Sequence, residues 1–312
     1  MFVLLFDLGL SALQIVFMCV SALSFFFFLA RYTLTKKFHT TYFDRVLCIL
    51  VADFFKVTAL MLYQVFWILF IALSYVAILF PALSVSAVFN FISYMMVLTA
   101  FISSFFMYAE LVLTLFLAIF FVRLVTTRTP SMKRYPLGFP LRVHIIALVS
   151  TIVIQIFRVT GLYVIPLLQY ISRIYFLLFY IINVILMSLC FYHLIMRTLK
   201  ESRSSLMLQL NMARFLFVVL SACVLGWFPM VVHIIFIFFT ATISVSATGA
   251  SVEHRIYQLL MTLSHLQLTI IVVSHNMPKK AWAILLLPFK PLVVWKERRS
   301  VVQRPWGYPA VE

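Results

Sequence analysis

MMVLTAFISSFFMYAELVLTLFLAIFFVR, residues Met95 to Arg123, holds one acid, Glu110, and stops at an arginine. At about 1.5 Å per residue, its 29 residues make a helix of roughly 43 Å, enough to cross a hydrocarbon core of about 30 Å. An acid in such a segment is costly against lipid and belongs on the inside of a bundle. The stretch therefore reads as the central helix of a membrane protein. Its charge is buried, and its terminal arginine sits at the cytoplasmic surface.

The rest of the 312-residue chain agrees. It is 65% hydrophobic and 10% charged, with 34 Phe suited to lipid contact, and its mean hydropathy is +1.14. A soluble domain would carry roughly 25% charged residues. Alternating strands of a membrane barrel are absent, so the expected class is an all-α membrane protein. The net charge of +16 does not point to nucleic acid. The cations form short clusters between apolar runs, which is a topology signal. Cys19, Cys48, Cys190 and Cys223 all fall inside apolar runs, which favours free thiols over disulfides. No N-x-[ST] sequon occurs, so no glycosylation site is offered.

Seven spans follow, at about 8–30, 46–72, 95–122, 143–166, 174–196, 215–239 and 256–276, with a basic tail over 277–312. The first has its basic residues after the core, at Arg31, Lys36 and Lys37. That order predicts an uncleaved span with the N-terminus outside. Val57 to Ala109 contains no charge for 53 residues, about 80 Å of helix, too long for one crossing. A turn is expected within Pro81 to Asn90, "PALSVSAVFN". A second short turn is expected at Gln169 to Arg173, and "TATISVSATGAS" (Thr240 to Ser251) reads as an external loop. Of 24 Lys and Arg, 20 lie after spans one, three and five or in the tail. Only Arg158, Arg173 and Arg255 count for the opposite side, and Lys56 lies inside span two. This bias predicts a cytoplasmic C-terminus.

Within the spans, Asp53 and Lys56 stand at i, i+3 on one helix face. They read either as an ion site or activation switch, or as a structural pair with Lys56 partly snorkelling. Glu110, about 20 Å from Arg123 along the helix, reads as a ligand contact, a partner of Arg158, or a hydrogen-bonded carboxyl. Phe106 and Trp227 are its expected aromatic neighbours in a ligand pocket. Trp227 and Pro229 in "GWFP" read as a hinge or as packing beside a tolerated membrane proline. Arg123 reads as a membrane-edge cation or as a coupling residue. His265 and His275 are ten residues apart and off one helix face, and no H-E-x-x-H occurs, so no metal site is expected. Ser264 and His265 have no acid nearby in sequence, so a hydrolase triad has little support. With only six Gly, no phosphate loop is offered either. The expectation is therefore a non-enzyme without cofactor.

Seven spans with an external N-terminus match the G-protein-coupled receptor architecture. Rhodopsin-like receptors end helix three with D/E-R-Y and a proline seven residues on. Arg123 and Pro130 keep that spacing, while Val122 and Leu124 replace the acid and the tyrosine. "GWFP" is similar to their C-W-x-P hinge, and "VAD" (Val51 to Asp53) to their helix-two aspartate motif. "SHLQLTIIVVSHNMPKK" (Ser264 to Lys280) lacks N-P-x-x-Y. It resembles instead the helix-seven signature of nematode serpentine chemoreceptors, classes H and I of the Str superfamily. Ser264, His265, Thr269, Ile270 and Pro278 match; Gln267, Leu268 and Lys279-Lys280 do not. "FFVR" (Phe120 to Arg123) stands where that family has F-E-N-R.

The resemblance implies a chemosensory receptor in the plasma membrane, a sensory cilium included. It would bind a small external molecule and activate a heterotrimeric G protein. Glu110, Phe106, Trp227 and Arg158 are then candidates for ligand binding. Arg123, Pro130, Trp227, Pro229, Asp53 and Lys56 are candidates for coupling and activation. The alternatives are a seven-span transporter, which would favour internal repeats and broken helices, and a ligand-gated channel for a small solute.

Overall fold

The computed structural model describes residues 2–35, 41–79, 86–126, 135, 138–163, 166–200, 222–240, 256 and 259–276. Among them there is helix and no strand. In lipid no water satisfies the backbone, so each apolar run closes its hydrogen bonds within itself. The helices are α1 (Phe2–Leu34), α2 (Thr41–Leu79), α3 (Ser86–Thr126), α4 (Leu141–Tyr163) and α5 (Pro166–Lys200). A wide π segment (Ala222–Trp227) then continues as α6 (Phe228–Thr240), and α7 (Gln267–Asn276) closes the described part of the chain. Among the described residues six helical stretches are long and apolar enough to cross a membrane, Leu259–Asn276 being the sixth; Leu225–Phe236 is a shorter apolar helix. The chain is a multi-pass membrane protein.

The long charge-free run does break. α2 continues to Leu79 and α3 already begins at Ser86, so residues 86–90 are helical. The second turn is not at the expected residues. α5 begins at Pro166, and Gln169 to Arg173 lie within it. Proline tolerates a first helical turn, where its missing N–H would have had no partner anyway. Pro130, the segment 241–251 and the tail 277–312 lie outside the described residues, and Cys223 falls in the π segment.

α3 is the central element. Of its most apolar stretch 56% is buried, against 28% or less in α1, α2, α4 and α5. It packs against α2, α4 and α5. The α2 face that meets the bundle repeats at helical spacing, with Val46, Ile49, Leu50, Asp53, Lys56 and Val57 buried. α1 joins the helix-seven segment through a polar seam: Gln14 Nε2 donates to Thr262 Oγ1 at 2.9 Å, and Ser21 and Ser24 both meet Thr269 Oγ1. Arg31 donates to Asn276 Oδ1 at 2.7 Å. Such contacts between membrane helices contribute about 0.6 kcal/mol each on average.

Candidate functional site: a charged cluster inside the bundle

Lys56 lies fifteen residues into α2 and Glu110 sixteen residues before the end of α3. The two helices are antiparallel neighbours, so both side chains reach similar depth. Lys56 Nζ donates to Glu110 Oε2 at 2.6 Å and forms a second ion pair with Asp53 one turn earlier. From α7, Gln267 Nε2 donates to Glu110 Oε1 at 2.5 Å. Glu110 and Gln267 are fully buried, Asp53 is 1% exposed and Lys56 8%. Three helices thus converge on one acid. Two carboxylates share one ammonium, an arrangement whose members depend on one another because each alone would be an uncompensated buried charge.

Helix six touches this cluster at Gly226. A β-carbon there would collide with the side-chain amide of Gln267, so glycine is what lets the two segments approach. Trp227, the next residue, is fully buried. Pro229 follows the π segment. Proline has no N–H to donate and its ring crowds the carbonyl four residues back; a π turn just before it widens the backbone at that point. The helix-seven segment is also interrupted, with a turn at His265 and Leu266 between helical residues 259–264 and 267–276. Ser21 of α1 donates to the His265 carbonyl exposed by that turn.

The sequence-derived candidates fall into separate places. Glu110, Lys56 and Asp53 are brought together, and Gly226, the chain neighbour of Trp227, meets Gln267 of the same cluster. Arg158 is not a partner of Glu110, whose two oxygens are taken by Lys56 and Gln267. Lys56 does not snorkel; its ammonium turns inward between two acids. Phe106 stacks on Phe55, with centroids 4.9 Å apart, on the outer side of α2 and α3. Arg123 is exposed at the end of α3.

That end of the bundle is built from aromatic residues. Tyr42 and His275 share a 2.7 Å hydrogen bond and stack with centroids 5.7 Å apart. His275 Nδ1 lies 2.8 Å from the Ile271 carbonyl, an acceptor, which assigns the proton to Nδ1 and leaves Nε2 to accept from Tyr42. Phe121 packs edge-on to Tyr42. The Arg45 guanidinium sits 3.6 Å from the Phe120 ring centroid and its Nε donates to the Gly138 carbonyl at 3.0 Å. Gly138 has a positive φ of 72°, and a side chain there would strike the Asp44 backbone.

Sequence reasoning missed Gln267, noted only as a departure from a helix-seven signature. It also missed Gln14, Ser21 and Ser24. Polar residues inside apolar runs were the available signal, but their partners were not readable. Among the described residues no group of three or more His, Cys, Asp or Glu is placed to hold a metal ion. No protein-family model matches the chain, and no curated protein matches it at a significant level.

Proposed function

We propose that the protein is a seven-span chemosensory receptor of the G-protein-coupled kind, similar to the nematode serpentine receptors. It binds a small external ligand and activates a heterotrimeric G protein. The N-terminus is external, the tail is cytoplasmic, and the bundle lies in the plasma membrane. The observation that carries this reading is the Asp53–Lys56–Glu110–Gln267 cluster, which ties helices two, three and seven and is touched by helix six at Gly226. In receptors of this architecture, helix six opens a cytoplasmic cavity toward which the helix-three arginine faces. A buried cluster in contact with helix six is suited to sense that movement, and Arg123 stands at the end of the same helix as Glu110. The test uses full-length protein in nanodiscs with a heterotrimeric G protein and a panel of volatile and small-metabolite ligands. Ligand-stimulated nucleotide exchange is the expected result.

One observation favours a transporter as second reading. The turn at His265 and Leu266 and the π segment before Pro229 are helix interruptions beside buried charge, a pattern found at transporter substrate sites. Solute accumulation in proteoliposomes, with no nucleotide exchange across the same panel, would decide for transport.

A further inference from the structure

The halves of α3, α4 and α5 away from Arg123 meet along a seam of polar side chains separate from the cluster around Glu110. On α4, Thr151, Gln155 and Arg158 stand at i, i+4 and i+7, one stripe of the helix. Thr151 and Gln155 are 1% and 3% exposed, so that stripe faces the bundle and not the lipid. Ser104 and Tyr108 form the facing stripe of α3, and both are buried. Gln155 Nε2 donates to Ser104 Oγ at 2.9 Å, which sets the level of one helix against the other. From α5, Ser172 is hydrogen-bonded to the Tyr108 phenol, and Phe176 packs edge-on to its ring. Arg158 and Arg173 both act electrostatically on that phenol, and the Arg173 guanidinium lies 5.5 Å from the Tyr170 ring centroid. Three helices therefore bring two guanidinia to one phenol. Beside them on α4, Gln155 Oε1 and Thr151 Oγ1 are buried with no hydrogen-bond partner among the described residues.

Arginines within membrane spans are rare and mark either a buried pair or a substrate path. The chain's own acids are engaged elsewhere or distant. There are eight in the whole sequence. Asp44 binds Tyr32, and Asp53 and Glu110 share Lys56. Asp7 belongs to α1, which packs against α2 and α7. Glu201 follows the opposite end of α5, and Glu297 and Glu312 are in the tail. Glu253, outside the described residues, is the remaining acid, and the test below removes it. A planar guanidinium pairs with a carboxylate or phosphate through two parallel N–H···O bonds. The Tyr108 phenol can accept from Ser172 and keep its own O–H for the same oxygens. We propose that Arg158, Arg173 and Tyr108 form an oxyanion site, and that the external ligand of the receptor is a small organic carboxylate or phosphate. Gln155 Oε1 can accept from a hydroxyl or amine of the same molecule. The ligand's role rests on the receptor reading; the binding itself does not. A lipid phosphate offers the same chemistry, and the test separates the two sources.

The test is fluorine NMR of fluorobenzoate and fluorophenyl phosphate with the full-length protein in phosphatidylcholine nanodiscs. Fluorobenzyl alcohol, a neutral probe of similar shape, is the comparison. The expected result is saturable line broadening of at least one anion, displaced by its unlabelled counterpart, and none of the alcohol. Arg158→Gln and Arg173→Gln should each weaken binding about tenfold or more, as loss of one partner of a close charge pair does, with thermal unfolding unchanged. Arg142→Gln, at an exposed arginine on the other end of α4, should leave binding as it is. No binding of either anion, equal broadening of the alcohol, or binding that persists in both arginine variants overturns the site. So does binding that appears only after Glu253→Gln, since the guanidinia would then be paired with the chain's own acid. Phosphatidylglycerol that abolishes probe binding, and that co-purifies with the wild type but not with the arginine variants, would make a lipid phosphate the occupant and overturn the external ligand. Anion binding without nucleotide exchange keeps the site and ends the receptor reading. Exchange driven by neutral ligands alone does the reverse.

Discussion

At the scale of single residues, the cluster around Glu110 makes the sharpest demands. Removing Lys56 leaves two buried carboxylates with no cation between them. Lys56→Met should therefore destabilise the protein by about 3–5 kcal/mol, the range for breaking a buried ion pair from one side. Adding Glu110→Gln removes one of the two stranded charges, so the double variant should recover part of the loss. Thermal unfolding in nanodiscs measures both, and additive effects would mean that the pair is not coupled. Gly226 makes a different demand. Gly226→Ala should push Gln267 off Glu110 and cost about 1–3 kcal/mol for the unmet buried partner. Trimming the obstruction with Gln267→Ala in the same chain should then cost little more. If the double variant is as unstable as the two single losses added together, the contact across helices six and seven is not what fixes glycine there.

At the scale of elements, α3 and the segment around α6 carry the signalling hypothesis. α3 runs from Ser86 to Thr126 without a break, so Glu110 and Arg123 move as parts of one rigid rod. In the receptor reading, Arg123→Ala lowers ligand-driven nucleotide exchange at equal surface expression, while ligand binding is retained. Normal exchange in that variant would separate Arg123 from coupling. Helix six behaves otherwise: its π segment, Ala222–Trp227, ends two positions before Pro229. Pro229→Ala restores a donor to the ladder and lets the segment tighten toward α geometry. The expected outcome is greater thermal stability with a weaker ligand response, read by unfolding and exchange on one preparation.

At the scale of the whole molecule, orientation is the property on which the receptor reading stands. The cation bias predicts that an N-terminal epitope is labelled on intact cells and a C-terminal one only after permeabilisation. The opposite pattern would put Arg123 outside the cell and end the reading. Within the bundle, Arg31, Tyr42, Arg45, Phe121 and Asn276 gather at one end of the helices. They come from α1, α2, α3 and α7, and only the packing of these helices brings them together.

What the sequence determined by itself is the solvent and the secondary structure. Hydropathy is local and additive, so Met95 to Arg123 reads as a membrane helix wherever it packs, and an intramembrane Glu110 reads as an inward-facing residue. What only the tertiary structure decided is who meets whom. Glu110 pairs with Lys56, 54 residues away, and with Gln267, 157 residues away, rather than with Arg158. Phe106, one turn before Glu110, lines a groove on the outer side of α2 and α3 with Phe55. Gln169 to Arg173 are helical rather than a turn, because Pro166 can open a helix as well as end one. The reason is common to these cases. Lipid tails solvate apolar faces about equally in any packing, so hydropathy fixes insertion but not the rotation and depth of one helix against another. Those are fixed by a few contacts such as the Gly226–Gln267 approach and the shared ammonium of Lys56, and such contacts form only between chain segments that the fold has already brought together.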